Sequence, residues 1–468
     1  MAIPDHYLFK TAALDLGMFN HALYDFSHFR LNYFTTGIYN LNQNYLSDHF
    51  SPITILLSPL WYIGGSYTLL FVQVLAFVKG GLGVYRIAQF KKLKQLNQIG
   101  LLLAYFLMWP IYPALGFDFH TNSLAAVFAI WTYYYFLKGN RKLVLSGIIL
   151  LLMCKETTPL WVAAAIFGLG MDFKNLTSKK NRVPLLGAAA CLIYFLLVFL
   201  WAMPALRPAN AYDQFYRFSY LGESWGDVIN TLLTDPIKTA KVLFYKKDFG
   251  TLSEYKLGWW GLFLVSGGFT FVFYRRLIWV FIPLVYLKML PFDPTMWGSG
   301  AHYSIEMVPL MILGSIQFAS FLESKKVPVR GLLFLPASIG LFFYFNPYHK
   351  VHYNHAEVVK KRSKILPWSQ TRFSAEGIDV QKVYEVLELI PPTASVTASS
   401  NLVPHLANRR KIFMFPNNLD SDYIALFKKN RGSYPLTNEE RLEWIQQKKT
   451  DPDYMVVFES DTFILFKN

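Results

Sequence analysis

Long apolar stretches, separated by short connections rich in lysine and arginine, constrain this chain more than any other feature. Stretches such as 66–90 and 183–203 exceed the roughly 18 residues at which an apolar run reads as a membrane-crossing helix. Composition agrees: 53% of the 468 residues are apolar and only 16% are charged, against about 25% charged in a soluble domain. The formal net charge of +15 would suggest nucleic acid in a soluble protein. Here much of the basic charge falls in short connections, where it sets orientation and meets anionic lipid. The expected partners are membrane lipids and not nucleic acid.

Ten spans are expected, at 66–89, 99–115, 122–137, 142–154, 159–171, 184–203, 257–274, 277–290, 303–321 and 331–345. The apolar segment 52–63 is too short to cross and reads as re-entrant or interfacial. With this count, five basic connections fall on one side: Lys91, Lys92 and Lys94; Lys138, Arg141 and Lys142; Lys174, Lys179, Lys180 and Arg182; Arg275 and Arg276; Lys325, Lys326 and Arg330. That side is expected to be cytoplasmic. The opposite connections 116–121 and 291–302 carry no Lys or Arg, although the longer loop 205–256 carries several, Lys246 and Lys247 among them. Reading 142–171 as one span would bury Lys155 and Glu156 near the bilayer centre, at about 2.5–3.5 kcal/mol for a lone charge. It would also move Lys179, Lys180 and Arg182 to the other side. Two short spans turning at 155–159 avoid both, and at about 1.5 Å per residue they leave that turn recessed below the outer surface.

The first 14 residues are mixed and polar, so no cleavable signal peptide is expected. Cys154 and Cys191 lie in apolar runs and read as buried thiols; no disulfide framework or zinc motif can be built from them. The fold class expected is thus a polytopic α-helical membrane protein over 1–348, with an outer first loop at 1–65. A soluble α/β domain follows over 349–468, expected on the extracytoplasmic side. There the pattern predicts helices at 380–389 and 438–448, the second capped by Thr437. It predicts strands at 395–398 and 411–415, and a hairpin of 454–458 with 462–466.

On this topology the outer connections hold Asp15, Asp48, His49, Asp118, His120, Lys155, Glu156, Asp293 and His302, with Tyr303 beside the last. Ionisable groups at a membrane rim are functional candidates. A carboxylate such as Asp15 can act as general base on a hydroxyl, or simply cap a helix. A recessed Lys155, oriented by Glu156, suits a phosphate or pyrophosphate; the plain alternative is that the two pair with each other. Asp48 and Ser51 can cap a short helix, with His49 at the interface. His302 and Tyr303 can bind a sugar or phosphate, and Tyr303 can equally be an aromatic-belt residue. No His/Asp spacing here is a metal signature. The sequence specifies no cofactor, and a divalent cation stays an option without a motif to hold it.

Several short motifs occur in order: LDLGMFNHAL at 14–23, HFSP at 49–52, GFDFH at 116–120, CKE at 154–156, AHY at 301–303, and IPPTASVTASSNLVPHLANRRKIFMFP at 390–416. The set resembles the prokaryotic membrane-protein family catalogued as domain of unknown function 2079, over nearly the whole chain. That family is grouped with the GT-C glycosyltransferases, which transfer a sugar from a polyprenyl-phosphate carrier on the extracytoplasmic face of the cytoplasmic (inner) membrane. The resemblance implies that Asp15 matches the acid of the first outer loop and that Lys155 matches a lysine able to meet the carrier phosphate. It places His49, His120 and His302 in family motifs without giving them roles. Two departures stand out. Family members carry a span before the first-loop acid, whereas this chain starts almost at that loop, which suggests a truncated or misassigned start. Thr121 and Asn122 also follow His120 where Pro and Glu are expected.

The function expected is glycosyl transfer from a polyprenyl-phosphate donor. The rival class is a transporter or flippase of lipid-linked or small polar substrates, which should show internal repeats; none stands out. A third reading, a scaffold displaying its outer domain, predicts that Lys155 and Glu156 tolerate apolar replacement.

Overall fold

The computed structural model describes residues 2–37, 43–207, 214–244, 252–329, 331–345, 373–429 and 434–468. Most described residues are helical, and a small sheet lies near the C-terminus. Among the described residues four stretches, against the ten spans expected, are long and apolar enough to cross a membrane: Ile53–Phe90, Lys179–Ala205, Gly268–Met289 and His302–Ser324. Gln95–Leu107, Thr158–Gly170 and Leu332–Phe345 are shorter apolar helices.

Local chemistry explains where the helices depart from the expected boundaries. The helix Gln95–Leu107 stops at Met108, which is extended, and a new helix runs Ile111–Gly116. Pro110 has no N–H to give the carbonyl of Phe106, which accepts the Tyr112 hydroxyl instead, so 99–115 is not one helix. The expected 257–274 helix is instead Leu252–Val265. The left-handed Gly267 (φ 98°) ends it, and a 3-10 segment Gly268–Leu277 lies across the helix Met307–Ser324. The approach there is close: a Cβ on Gly314 would stand 2.7 Å from the Phe271 nitrogen. Before the helix Thr68–Phe90, the chain makes short turns at Ile53–Leu57, Ser58–Leu60 and Trp61–Gly64, broken at Gly65 (φ 51°). Leu56, Tyr62 and Ile63 in these turns are exposed.

The basic connections gather at one end of the bundle. The Lys94 amide and Asn97 Nδ2 both donate to Glu323 Oε1, at 3.0 and 2.5 Å, which joins the first connection to the fifth. The Lys138 ammonium lies over the Phe90 ring, joining second to first. Arg276 Nη1 donates to the Leu169 carbonyl at 2.7 Å, joining fourth to third. Phe273 packs on Phe321, joining fourth to fifth. Helices Thr121–Leu137 and Met307–Ser324 lead from this end to the opposite one, a rise of about 26 Å at 1.5 Å per residue.

The first two strands, β1 (Tyr33–Phe34) and β2 (Gln43–Asn44), form a small antiparallel pair. The C-terminal sheet contains β3 (Val396–Ala398), β4 (Ile412–Met414), β5 (Tyr423–Phe427), β6 (Met455–Glu459) and β7 (Phe463–Lys467), in the order β4-β3-β5-β7-β6. β3 pairs in parallel with β4 and β5; β7 pairs antiparallel with β5 and β6. The helix Asn438–Lys449 packs Ile445 on one face and is opened by a capping box between Thr437 and Glu440. The other face packs on the helix Val380–Leu387 and on Phe9 and Ala13 from the far end of the chain. The expected domain boundary at 348/349 lies outside the described residues.

The N-terminal segment is stitched to this domain. The Ala13 amide donates to Ser400 Oγ (3.2 Å), Asn401 Nδ2 to the Thr11 carbonyl (2.8 Å), Asn20 Nδ2 to the Pro404 carbonyl (3.2 Å) and Asn417 Nδ2 to the Gly37 carbonyl (2.8 Å). Thr35 Oγ1 donates to the Ile412 carbonyl. Gly17 is required here, because a Cβ would stand 2.9 Å from Val403 Cγ1.

Candidate active site

At the bundle end opposite the basic connections, polar groups from five distant segments converge. Asp15 sits in a single π-helical turn, Ala13–Gly17, that runs into the helix Met18–Ser27. The connection 117–120 faces it. Asp118 takes a left-handed φ of 56°, a conformation Asp tolerates better than most residues. Its Oδ2 accepts the Ala12 amide at 3.0 Å. His120 follows, and its Nε2 lies 3.4 Å from Asp15 Oδ1. Gln73, from the helix Thr68–Phe90, fixes the same connection: its Nε2 donates to the Ala114 and Asp118 carbonyls, and its Oε1 accepts the His120 amide.

His302 stacks on His120 with ring centroids 3.3 Å apart, and Tyr303 lies against His302 at 4.0 Å. Lys155 and Glu156 occupy the turn between helices Arg141–Leu152 and Thr158–Gly170. The Lys155 ammonium stands 5.5 Å from the Tyr303 ring centre. It also acts electrostatically on His49, His120, His302 and Glu306. The Ile53 amide donates to the Met153 carbonyl, which ties the His49 segment to this turn. His49 Nδ1 meets Asp48 Oδ2 at 2.6 Å.

Two imidazoles outside the spans are pushed in opposite directions. Burial works to lower the pKa of His49, but the Asp48 carboxylate outweighs it and the pKa is raised. Burial holds His120 below the ordinary imidazole value against the pull of Asp15. Nδ1 of His120, Nδ1 of His302 and Oε2 of Glu156 are buried and meet no hydrogen-bond partner among the described residues. Such atoms are costly unless a polar ligand or water meets them. No group of three or more His, Cys, Asp or Glu among the described residues is placed to hold a metal ion.

The model of one protein family, described as a predicted membrane protein (DUF2079), matches residues 5–465. The chain belongs to the DUF2079 family. Neither a curated protein nor a solved structure matches it.

In this DUF2079 chain the structure brings together Asp15, His49, His120, Lys155, Glu156, His302 and Tyr303. Asp118 serves as a brace for the Asp15 turn. Asp293 lies 3.7 Å from Arg217 Nη2 and acts electrostatically on Tyr303. Sequence reasoning missed Glu306 and Arg217. Glu306 accepts Asn122 Nδ2 on Oε2 and Trp161 Nε1 on Oε1, both at 3.0 Å, so one carboxylate ties three helical segments beside Lys155. Asn122 thus has a structural partner at the position where an acid was expected. Arg217 acts electrostatically on Tyr303 from the loop 205–256. The signal for Glu306 was present as a lone acid at the start of an apolar run; Arg217 had none.

Proposed function

We propose that this protein is a membrane glycosyltransferase of the GT-C kind. It transfers a hexosyl or pentosyl group from a polyprenyl-phosphate donor to an acceptor hydroxyl on the extracytoplasmic face of the cytoplasmic membrane. In this reading the chain crosses about ten times, and the C-terminal α/β domain stands outside and meets the acceptor. The observation that carries the reading is the convergence of a carboxylate, three imidazoles and an ammonium at the bundle end away from the basic connections. The reading puts that end at the depth of a lipid carrier's headgroup.

Asp15 removes the proton of the acceptor hydroxyl. The acceptor oxygen bonds to the anomeric carbon on the face opposite the phosphate, and the anomeric carbon–phosphate oxygen bond breaks. The lipid phosphate leaves with the electron pair and is held by Lys155, whose charge matters most as that bond stretches. Lipid phosphate needs no general acid to leave. His49, Glu156, His302 and Tyr303 supply donors and acceptors for the sugar and headgroup.

The test is sugar transfer from polyprenyl-phosphate sugars by the purified protein and two variants. Asp15→Asn is expected to lower kcat by about 10²–10⁴, the usual range for a general base. Lys155→Ala is expected to weaken donor binding and lower kcat together. Wild-type rates in both variants would reject the assignment.

A further inference from the structure

We infer that Asp15 and His120 act as a dyad, with His120 the positioning residue that aligns the carboxylate and carries away the proton it collects. The inference rests on the glycosyl-transfer reading and deepens it. Four observations converge. The Asp15–His120 contact is 3.4 Å and nearly enclosed on the imidazole side, where His120 is 6% exposed. The two segments are held in register by a separate bond, the Ala12 amide to Asp118 Oδ2, three residues before Asp15 and two before His120. Gln73 fixes the backbone of His120 itself, and Phe19 packs edge-on against its ring at 6.0 Å. The remaining nitrogen, Nδ1, is buried without a hydrogen-bond partner among the described residues, and the ring of His302 is stacked against it.

A carboxylate alone is a weak base for a sugar hydroxyl, and a second base in contact with it draws the proton onward. With His120 beside it, the proton passes from the acceptor oxygen to Asp15 and on to the imidazole. The imidazolium that forms is stabilised by the same carboxylate, as in other carboxylate–imidazole pairs. The acceptor oxygen gains the anomeric carbon and the phosphate gains the electron pair, so no other reactant is needed.

The decisive variant is His120→Gln, because the Gln amide still donates to Asp15 but cannot take a proton. A purely orienting role predicts a wild-type rate. The dyad predicts that kcat falls by about tenfold or more with donor KM unchanged, and that the acidic limb of the pH profile moves. In His120→Ala, added imidazole should restore part of the rate. Polyprenyl-phosphate binding at wild-type affinity shows that either variant is folded. A His120→Gln enzyme with wild-type kcat and pH profile overturns the dyad. A wild-type protein that transfers no sugar from any lipid-phosphate donor overturns the functional reading instead. The contact then has its own readout in ¹⁵N-histidine-labelled protein: the resonance lost in His120→Gln should titrate differently in Asp15→Asn. An unchanged titration overturns the pairing on its own.

Discussion

Glu306 carries more of the site than its place in the sequence suggests. Its two oxygens each take a neutral donor, from Asn122 and from Trp161, at 3.0 Å. A carboxylate fits this arrangement because it accepts on both sides without presenting a hydrogen. Glu306→Ala should leave both donors unpaired in the bundle, at about 1–3 kcal/mol each. Thermal unfolding in detergent checks this: the variant should melt several degrees lower, and a melting temperature equal to wild type would remove Glu306 from the framework. Glu306→Gln should fall between, because its amide nitrogen must face one of the two donors. In the sequence Glu306 shows only as a lone acid at the start of an apolar run; its bracing role leaves no pattern, because its partners lie 184 and 145 positions away. His120, Lys155 and His302 were legible because each stands as an ionisable residue at the edge of an expected span, and Asp15 because the resemblance matches it to a first-loop acid. What the sequence withheld was their pairing. The 3.4 Å contact of Asp15 with His120 depends on a left-handed Asp118 and on Gln73, neither of which leaves a pattern.

At the scale of elements, the N-terminal segment is the piece that sequence reasoning treated too simply. It reads as a polar loop, yet Phe9 is fully buried in the core of the C-terminal sheet, 369 positions from Ile378 in the same cluster. Burying a phenylalanine contributes about 1.5–3 kcal/mol, so the two ends of the chain hold each other. The helices Val380–Leu387 and Asn438–Lys449 and the β6–β7 hairpin match the expected pattern, because amphipathic period and turn chemistry announce them. The central strand β5 went unread: its run YIALF is apolar throughout, and such a run has no period to distinguish strand from helix.

The same seam contains a stacked histidine pair, His6 on His405, with centroids 3.9 Å apart. His6 is bonded to Thr11 Oγ1 and Ser66 Oγ, and His405 to Tyr384; Tyr67 lies against His6, and the Lys10–Glu376 pair borders the seam. Burial pushes His6 down to about 3, and burial followed by the facing His6 holds His405 well below the usual value. Undocked, both return to near 6.5. The undocked form therefore takes up more protons, so docking is at full strength above pH 6.5 and weakens as pH falls from there towards 3. The protection factors of the amides in 403–406, taken against the intrinsic exchange rate at each pH, should fall over that window. His405→Phe should flatten the response, and a seam equally protected from pH 7 to pH 4 would contradict it.

At the scale of the whole molecule, two ends of opposite character define the protein. Five basic connections meet through Glu323, Phe90, Leu169 and Phe321 at one end. The candidate site and the C-terminal sheet lie at the other. This arrangement was legible in advance because helices of fixed rise return their connections to alternate ends, and an even spacing of basic connections can then share only one. The exact helix boundaries were not, because Pro110 and Gly267 break runs that remain apolar through the break. If the basic end faces the cytoplasm, the two ends must be labelled from different compartments. Cys154 and Cys191 are buried and give little background. Lys92→Cys at the first basic connection and Asp461→Cys in the β6–β7 turn can therefore be compared in intact cells with a membrane-impermeant maleimide. Asp461→Cys should react at once and Lys92→Cys only after permeabilisation. Reaction of both, or of Lys92→Cys alone, would put the Asp15–His120 pocket in the cytoplasm or dissolve the two-ended arrangement. In either case a polyprenyl-phosphate donor presented outside the cell could not reach the groups proposed to act on it.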